Sequence, residues 1–302
     1  MKILKYLVLI IVMIVIFVSC GKKQISEQTE FGELMHVYLD NAPFPDEDRK
    51  SGHTYEGEFF PYEGHYDDNT VAILIPNGYN ATDETDFVIH FHGWNNSVDS
   101  VLSQFELLKQ FGNSQRNAIL IVPQGPKYSK DSYGGKLSKD GGFDRFMNEI
   151  VELLKKEKKI PQDSKLHKMV LTAHSGGYKV VSDIVSKNKN FKKIKEVYLF
   201  DALYGETTKF LDWVNVAGHK FFVLYTDDGG TMKETKKLSK ILQGAGFPYH
   251  YQHTRKIKQW ELIKNPIMIL HSDLGHNDVI HKRNMYSRIL KNGRLKAIKK
   301  KK

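Results

Sequence analysis

Apolar runs of strand length alternate with amphipathic stretches over most of the chain. Thr70 to Pro76 (TVAILIP), Asp86 to Phe91 (DFVIHF) and Ala118 to Val122 (AILIV) are nearly continuous apolar runs, the pattern of strands buried on both faces. Between the second and third, Val98, Leu102, Phe105 and Leu108 recur at helical spacing. Phe143, Phe146, Met147, Ile150, Val151 and Leu154 then form a clear helical stripe. The alternation continues with a strand over Lys168–Thr172, a helix over Gly177–Ser186 and a strand over Glu196–Phe200. A short helix over Phe210–Val214, a strand over Phe221–Tyr225 and a helix through Met232, Leu238, Ile241 and Leu242 follow, the last ending at Gly244. Pro248 to Leu262 reads as a strand-rich insertion, Ile267–Leu270 as the last strand and Asn284–Leu290 as the closing helix. Strands separated by helices need crossovers, which predicts an α/β fold: a mostly parallel central sheet with helices on both faces, in three layers. Ligands in such sheets bind beyond the carboxyl ends of the strands, so the chemistry is expected just after each strand.

The ends of the chain follow different rules. Lys2 and Lys5 precede an apolar run from Leu7 to Val18 that stops at Ser19-Cys20, the layout of a secretory signal over residues 1–19. The run is shorter than the roughly 20 residues of a spanning helix. Cys20 is the only cysteine, so no internal disulfide can form. Phe17-Val18-Ser19-Cys20-Gly21 resembles the lipobox of bacterial lipoproteins, which implies lipidation of Cys20 and a membrane-anchored domain outside the cytoplasm, with Gly21 pointing to the outer membrane in a double-membraned cell. Residues 20–50 are polar without sustained period and read as a tether, 51–290 as one globular domain and 291–302 as a basic tail. The net charge of +10 does not point to nucleic acid. Two of those charges belong to the signal and seven to the tail (Lys291, Arg294, Lys296 and Lys299 to Lys302), which leaves the body at +1. The tail is expected to be solvated or to rest on anionic lipid.

Three strand ends carry candidate chemistry. The strand ending at Thr172 runs into Ala173-His174-Ser175-Gly176-Gly177 and straight into a helix. A serine on such a sharp turn projects its hydroxyl from the sheet, and the helix behind it offers backbone N–H groups to developing negative charge. The strand ending at Phe91 is followed by His92-Gly93-Trp94, and the last strand by His271-Ser272-Asp273-Leu274-Gly275-His276. These features resemble the α/β-hydrolase superfamily of serine esterases and lipases: the elbow resembles its G-x-S-x-G motif with Ala173 in the first glycine position. The resemblance covers roughly Phe87 to Leu290. It implies Ser175 as nucleophile, His276 as base with His271 as runner-up, and the backbone N–H groups of Trp94 and Gly176 as oxyanion donors, with His92 structural. Chain order places the acid between nucleophile and base. Asp201 in Phe200-Asp201-Ala202-Leu203-Tyr204-Gly205 is preferred, with Asp228 and Asp227 as alternatives.

The reaction implied is hydrolysis of a carboxylic ester through an acyl-enzyme, on a small-molecule or envelope-polymer substrate and without a cofactor. An amidase or peptidase on the same residues, and a non-catalytic binding lipoprotein with this fold, are the competing readings. His90 and His92 alternate along a strand, a pairing that can chelate zinc, but no adjacent Asp or third His completes a hydrolytic cluster, so no metal is expected. The polar, glycine-rich segment Gln124 to Phe143 is long for a compact domain. It is expected to bring Asp131, Tyr133, Gly134-Gly135 and Lys136 to a pocket mouth. Tyr249, Tyr251 and Trp260 are read as part of a lid or a packed hairpin.

Overall fold

The computed structural model describes residues 24–299 apart from 188 and 217. The signal segment and Cys20 lie outside the described residues. Twelve strands are described: β1 (Ile25–Thr29), β2 (Gly32–Tyr38), β3 (His53–Tyr55), β4 (Glu58–Phe60), β5 (Thr70–Pro76), β6 (Glu84–Phe91), β7 (Ile119–Pro123), β8 (Lys165–His174), β9 (Ile194–Phe200), β10 (Lys220–Thr226), β11 (His250–His253) and β12 (Ile267–Ser272). Ten of them form one sheet in the order β1-β2-β5-β7-β6-β8-β9-β10-β12-β11, while β3 and β4 pair separately. From β7 to β11 every pairing is parallel; β1, β2 and β5 add an antiparallel edge.

The side-chain alternation of the strands divides the interior into two cores. Phe87, Ile89, Met169 and Leu171 face one side, where α3 (Gly142–Lys156), α4 (Tyr178–Lys187), α5 (Thr207–Val214) and α6 (Met232–Gly244) cover them. Val88, Leu120, Val170 and Phe222 face the other, under α1 (Val98–Gln104), α2 (Leu107–Ser114), α7 (Gln259–Lys264) and α8 (Met285–Lys291). In α3 all six residues of the expected stripe are buried, and each phenylalanine in it contributes about 1.5–3 kcal/mol of burial energy. Every strand expected between Thr70 and Leu270 is present, displaced by at most a few residues at its ends.

Three expectations about chain organisation need correction. The stretch assigned to a tether supplies β1 and β2, hydrogen-bonded through β5 into the main sheet. Leu34, Met35 and Val37 of β2 are buried, a short apolar set that polar neighbours masked. The basic tail is docked as far as Ile298: Leu295 is buried, Asn117 N–H donates to the Lys296 carbonyl and Ile298 N–H to that of Gln115. The insertion after Pro248 is neither lid nor hairpin. Its strand β11 pairs in parallel with β12 and extends the sheet, leaving Tyr251 and Trp260 exposed.

A small third cluster of Phe44, Phe60 and Tyr66 lies in the segment between β2 and β5, against Tyr133. Arg49 grips Asp131 through Nε and Nη2 (2.7 and 3.3 Å), and the Tyr133 hydroxyl donates to Asp48 at 2.7 Å. This clamp fixes the segment to the long loop after β7.

Candidate active site

The elbow takes the geometry that its sequence implies. Strand β8 ends at His174, Ser175 adopts φ +53° in the left-handed region, and α4 begins three residues later. A non-glycine residue is held there only when its surroundings force it, and the result is a partly exposed serine at the carboxyl end of the sheet. The turn after β6 packs directly onto it. A Cβ on Gly93 would stand 2.9 Å from both Gly176 N and Ser175 Oγ, closer than real side chains approach, so this position accepts only glycine. Trp94 and Gly176 thus lie side by side at Ser175.

Asp201 directly follows β9, with φ +45° and no exposed surface. Its carboxylate collects four donors. Thr226 N–H (3.2 Å) and the Thr231 hydroxyl reach Oδ1, and the Thr226 hydroxyl (2.6 Å) and His276 Nδ1 (2.7 Å) reach Oδ2. Burial raises the carboxyl's pKa, but the donations from His276, Thr226 and Thr231 outweigh it and hold the group below its ordinary value. Because Nδ1 donates to the carboxylate, the partly exposed His276 keeps Nε2 free as an acceptor. In this structure Ser175 Oγ and His276 are not hydrogen-bonded to each other. The elbow and the base loop meet instead through His174, whose Nε2 lies 2.9 Å from the His276 carbonyl.

The alternatives are engaged elsewhere. Asp227 binds His271 Nε2 at 2.8 Å, and His271 stacks on Tyr225, so the runner-up base and one alternative acid form a separate surface pair. Asp228 is exposed. His92 is held in the loop: Nδ1 faces the Gly93 carbonyl and Nε2 accepts from Gly125 N–H, both at 2.9 Å. His90 Nδ1 bonds the Thr172 hydroxyl, also at 2.9 Å. Among the described residues, no group of three His, Cys, Asp or Glu side chains is placed to hold a metal ion.

A cleft of about 280 Å³ opens over Ser175, lined by Trp94, Ser132, Gly176, Tyr178 and Tyr204. Tyr55 of β3 stands edge-on to the Trp94 ring, 4.8 Å between centroids, and Trp94 Nε1 donates to Ser132 Oγ at 2.8 Å. Tyr204 donates to the Gly229 carbonyl, and burial together with the Asp201 charge raises its pKa to about 12. Of the long loop, only Ser132 lines this cleft. Asp131, Tyr133 and Lys136 bind Arg49, Asp48 and the Asp40 carbonyl instead, and brace the segment before β5. Ser132, Tyr204, Thr226, Thr231 and His174 were not singled out from sequence. The available signals were adjacency alone, His174 next to the elbow and Tyr204 three residues past Asp201.

No family model and no curated protein matches the chain. Solved structures do. A protein described as FAE aligns with a TM-score of 0.52 at 9% identity, over 84% of this chain and 94% of that one. A mutant of the feruloyl esterase module from Clostridium thermocellum, complexed with sinapinate, aligns with a TM-score of 0.50 at 9% identity, over 74% of this chain and 82% of that one. The fold is that of an α/β hydrolase. At this identity the likeness shows the fold alone, and the chemistry has to be argued from the residues themselves.

Proposed function

We propose that the protein is a serine hydrolase that cleaves carboxylic esters by acyl transfer. The observation that carries this reading is the buried Asp201 carboxylate bonded to His276 Nδ1, on a loop that is hydrogen-bonded to the residue before the strained Ser175. In the reaction Ser175 Oγ bonds to the substrate carbonyl carbon while its proton passes to His276 Nε2. The imidazolium returns that proton to the departing alcohol, and water repeats the sequence to release the acid. Asp201 fixes the imidazole tautomer and offsets its transient charge. The N–H groups of Trp94 and Gly176 receive the oxyanion, each worth about 3 kcal/mol to the transition state.

The cleft walls carry no charged side chain and present Trp94, Tyr178 and Tyr204, which suits an uncharged, planar acyl group. A feruloyl-type ester is of this class, and the feruloyl esterase module named above shares the fold. We also propose that the domain is anchored outside the cytoplasm through lipidated Cys20. Among the described residues no helix is long and apolar enough to cross a membrane.

A fluorophosphonate probe tests the reading. The wild type is expected to be labelled and Ser175→Ala not, and p-nitrophenyl esters are expected to turn over faster than the matching anilides. An unreactive wild type would leave a binding protein with a hydrolase fold. Faster anilide cleavage would make it an amidase.

A further inference from the structure

The residue ahead of the nucleophile has no part in the acyl-transfer scheme, yet its side chain reaches the base loop. His174 is fully buried. Its Nε2 lies 2.9 Å from the main-chain carbonyl of His276, and the two rings lie 4.7 Å apart at 32°. A carbonyl oxygen only accepts, so Nε2 must carry the hydrogen. The other nitrogen, Nδ1, is buried with no hydrogen-bond partner among the described residues. Among these residues, the His174 bond is the only one made by the His276 main chain.

The loop between β12 and α8 is irregular at His276, so its backbone has no ladder to hold it. The side-chain bond to Asp201 sets the ring's direction, but the position of the backbone is a separate requirement. We propose that His174 is a positioning residue for the acyl-transfer reaction: as a neutral Nε2–H imidazole it ties the base loop to the nucleophile elbow, so that one residue sets the spacing between Ser175 and His276. The proposal rests on the serine-hydrolase reading.

The surroundings favour the neutral form that this role needs. His276, Asp201, His281 and His90 are the titratable groups facing the ring, and Phe105 packs edge-on at 4.9 Å. Burial, followed by the neighbouring His276, lowers the pKa of His174 to about 4. The ring therefore stays neutral while His276 gains and loses its proton during turnover.

Two variants and one spectrum test this. His174→Leu fills the space without a donor, whereas His174→Gln keeps an N–H near the position of Nε2. The leucine variant is expected to lose about 10²-fold in kcat with KM within about twofold, as for a misplaced catalytic group. The glutamine variant should recover most of the loss at a similar unfolding midpoint. A leucine variant with wild-type kcat, or a glutamine variant equally slow at equal stability, would overturn the proposal. Long-range ¹H–¹⁵N spectra of the wild type at pH 7 are expected to show His174 as the Nε2–H tautomer, and an Nδ1–H tautomer would also overturn it. That spectrum decides the matter even if the leucine variant fails to fold. Absence of probe labelling in the wild type counts against the hydrolase reading, not against the tautomer.

Discussion

Four donors converge on the Asp201 carboxylate, and the segment that delivers three of them, from Thr226 and Thr231, leaves no spare room: a Cβ on Gly229 would collide with Oδ2. Asp201→Asn should therefore preserve the fold but, under the proposed mechanism, offer His276 the wrong partner. A loss of about 10⁴-fold in kcat is expected, measured on a chromogenic ester. The same substitution has a signature in stability. A carboxyl held below its ordinary pKa stabilises the fold fully above about pH 3.9, and this contribution is lost as pH falls through the lower folded value. Urea unfolding below pH 4 should show a weaker pH dependence in Asp201→Asn than in the wild type. Ser175, Asp201 and His276 could be proposed from sequence because each follows a recognisable strand, Ser175 and Asp201 directly and His276 after a short turn. Thr226 and Thr231 were not, because a hydroxyl that solvates a carboxylate has no sequence pattern of its own.

The strands and helices from Thr70 to Leu290 were legible because burial on two faces, or on one helical stripe, imposes a period on the sequence. The elements before Thr70 were not, since β2 is an antiparallel strand near the sheet edge and its apolar set is only Leu34, Met35 and Val37. Strands β3 and β4 are three residues each, too short to show any period. What holds that segment is the Arg49–Asp131 pair, whose carboxylate partner is 6% exposed. Removing one member of such a pair strands the other. Arg49→Ala is expected to cost about 3 kcal/mol in denaturant unfolding. Because the freed segment carries Tyr55 against Trp94, KM should also rise. Unchanged stability would mean that Asp131 finds other donors.

Across the whole molecule the two ends of the sheet have opposite chemistry. Its carboxyl end holds the strained Ser175 and Asp201, while its amino end holds a buried polar knot. There Glu196 and Lys220 pair in register, Tyr198 donates to Glu196, and Lys220 Nζ donates to the carbonyls of Leu262 and Asn292 at 2.6 and 3.1 Å. Burial lowers the Lys220 pKa to about 8, against about 10.4 for a free lysine. Between those values the unfolded chain binds the extra proton, so this residue makes the fold more stable as pH rises from about 8 to about 10.4. Lys220→Met should flatten that rise, a difference in slope that unfolding curves at successive pH values would measure. The antiparallel edge has a directional consequence of its own. Ile25 pairs with His36, His36 with Ala72 and Ala72 with Val122, which sets the first residue of β1 one row short of where β7 ends. A chain fastened to a surface upstream of Ile25 is thus leashed from the same pole as Ser175. Its cleft would patrol the layer next to the attachment point, and its reach into the bulk would be set by the few residues of the leash.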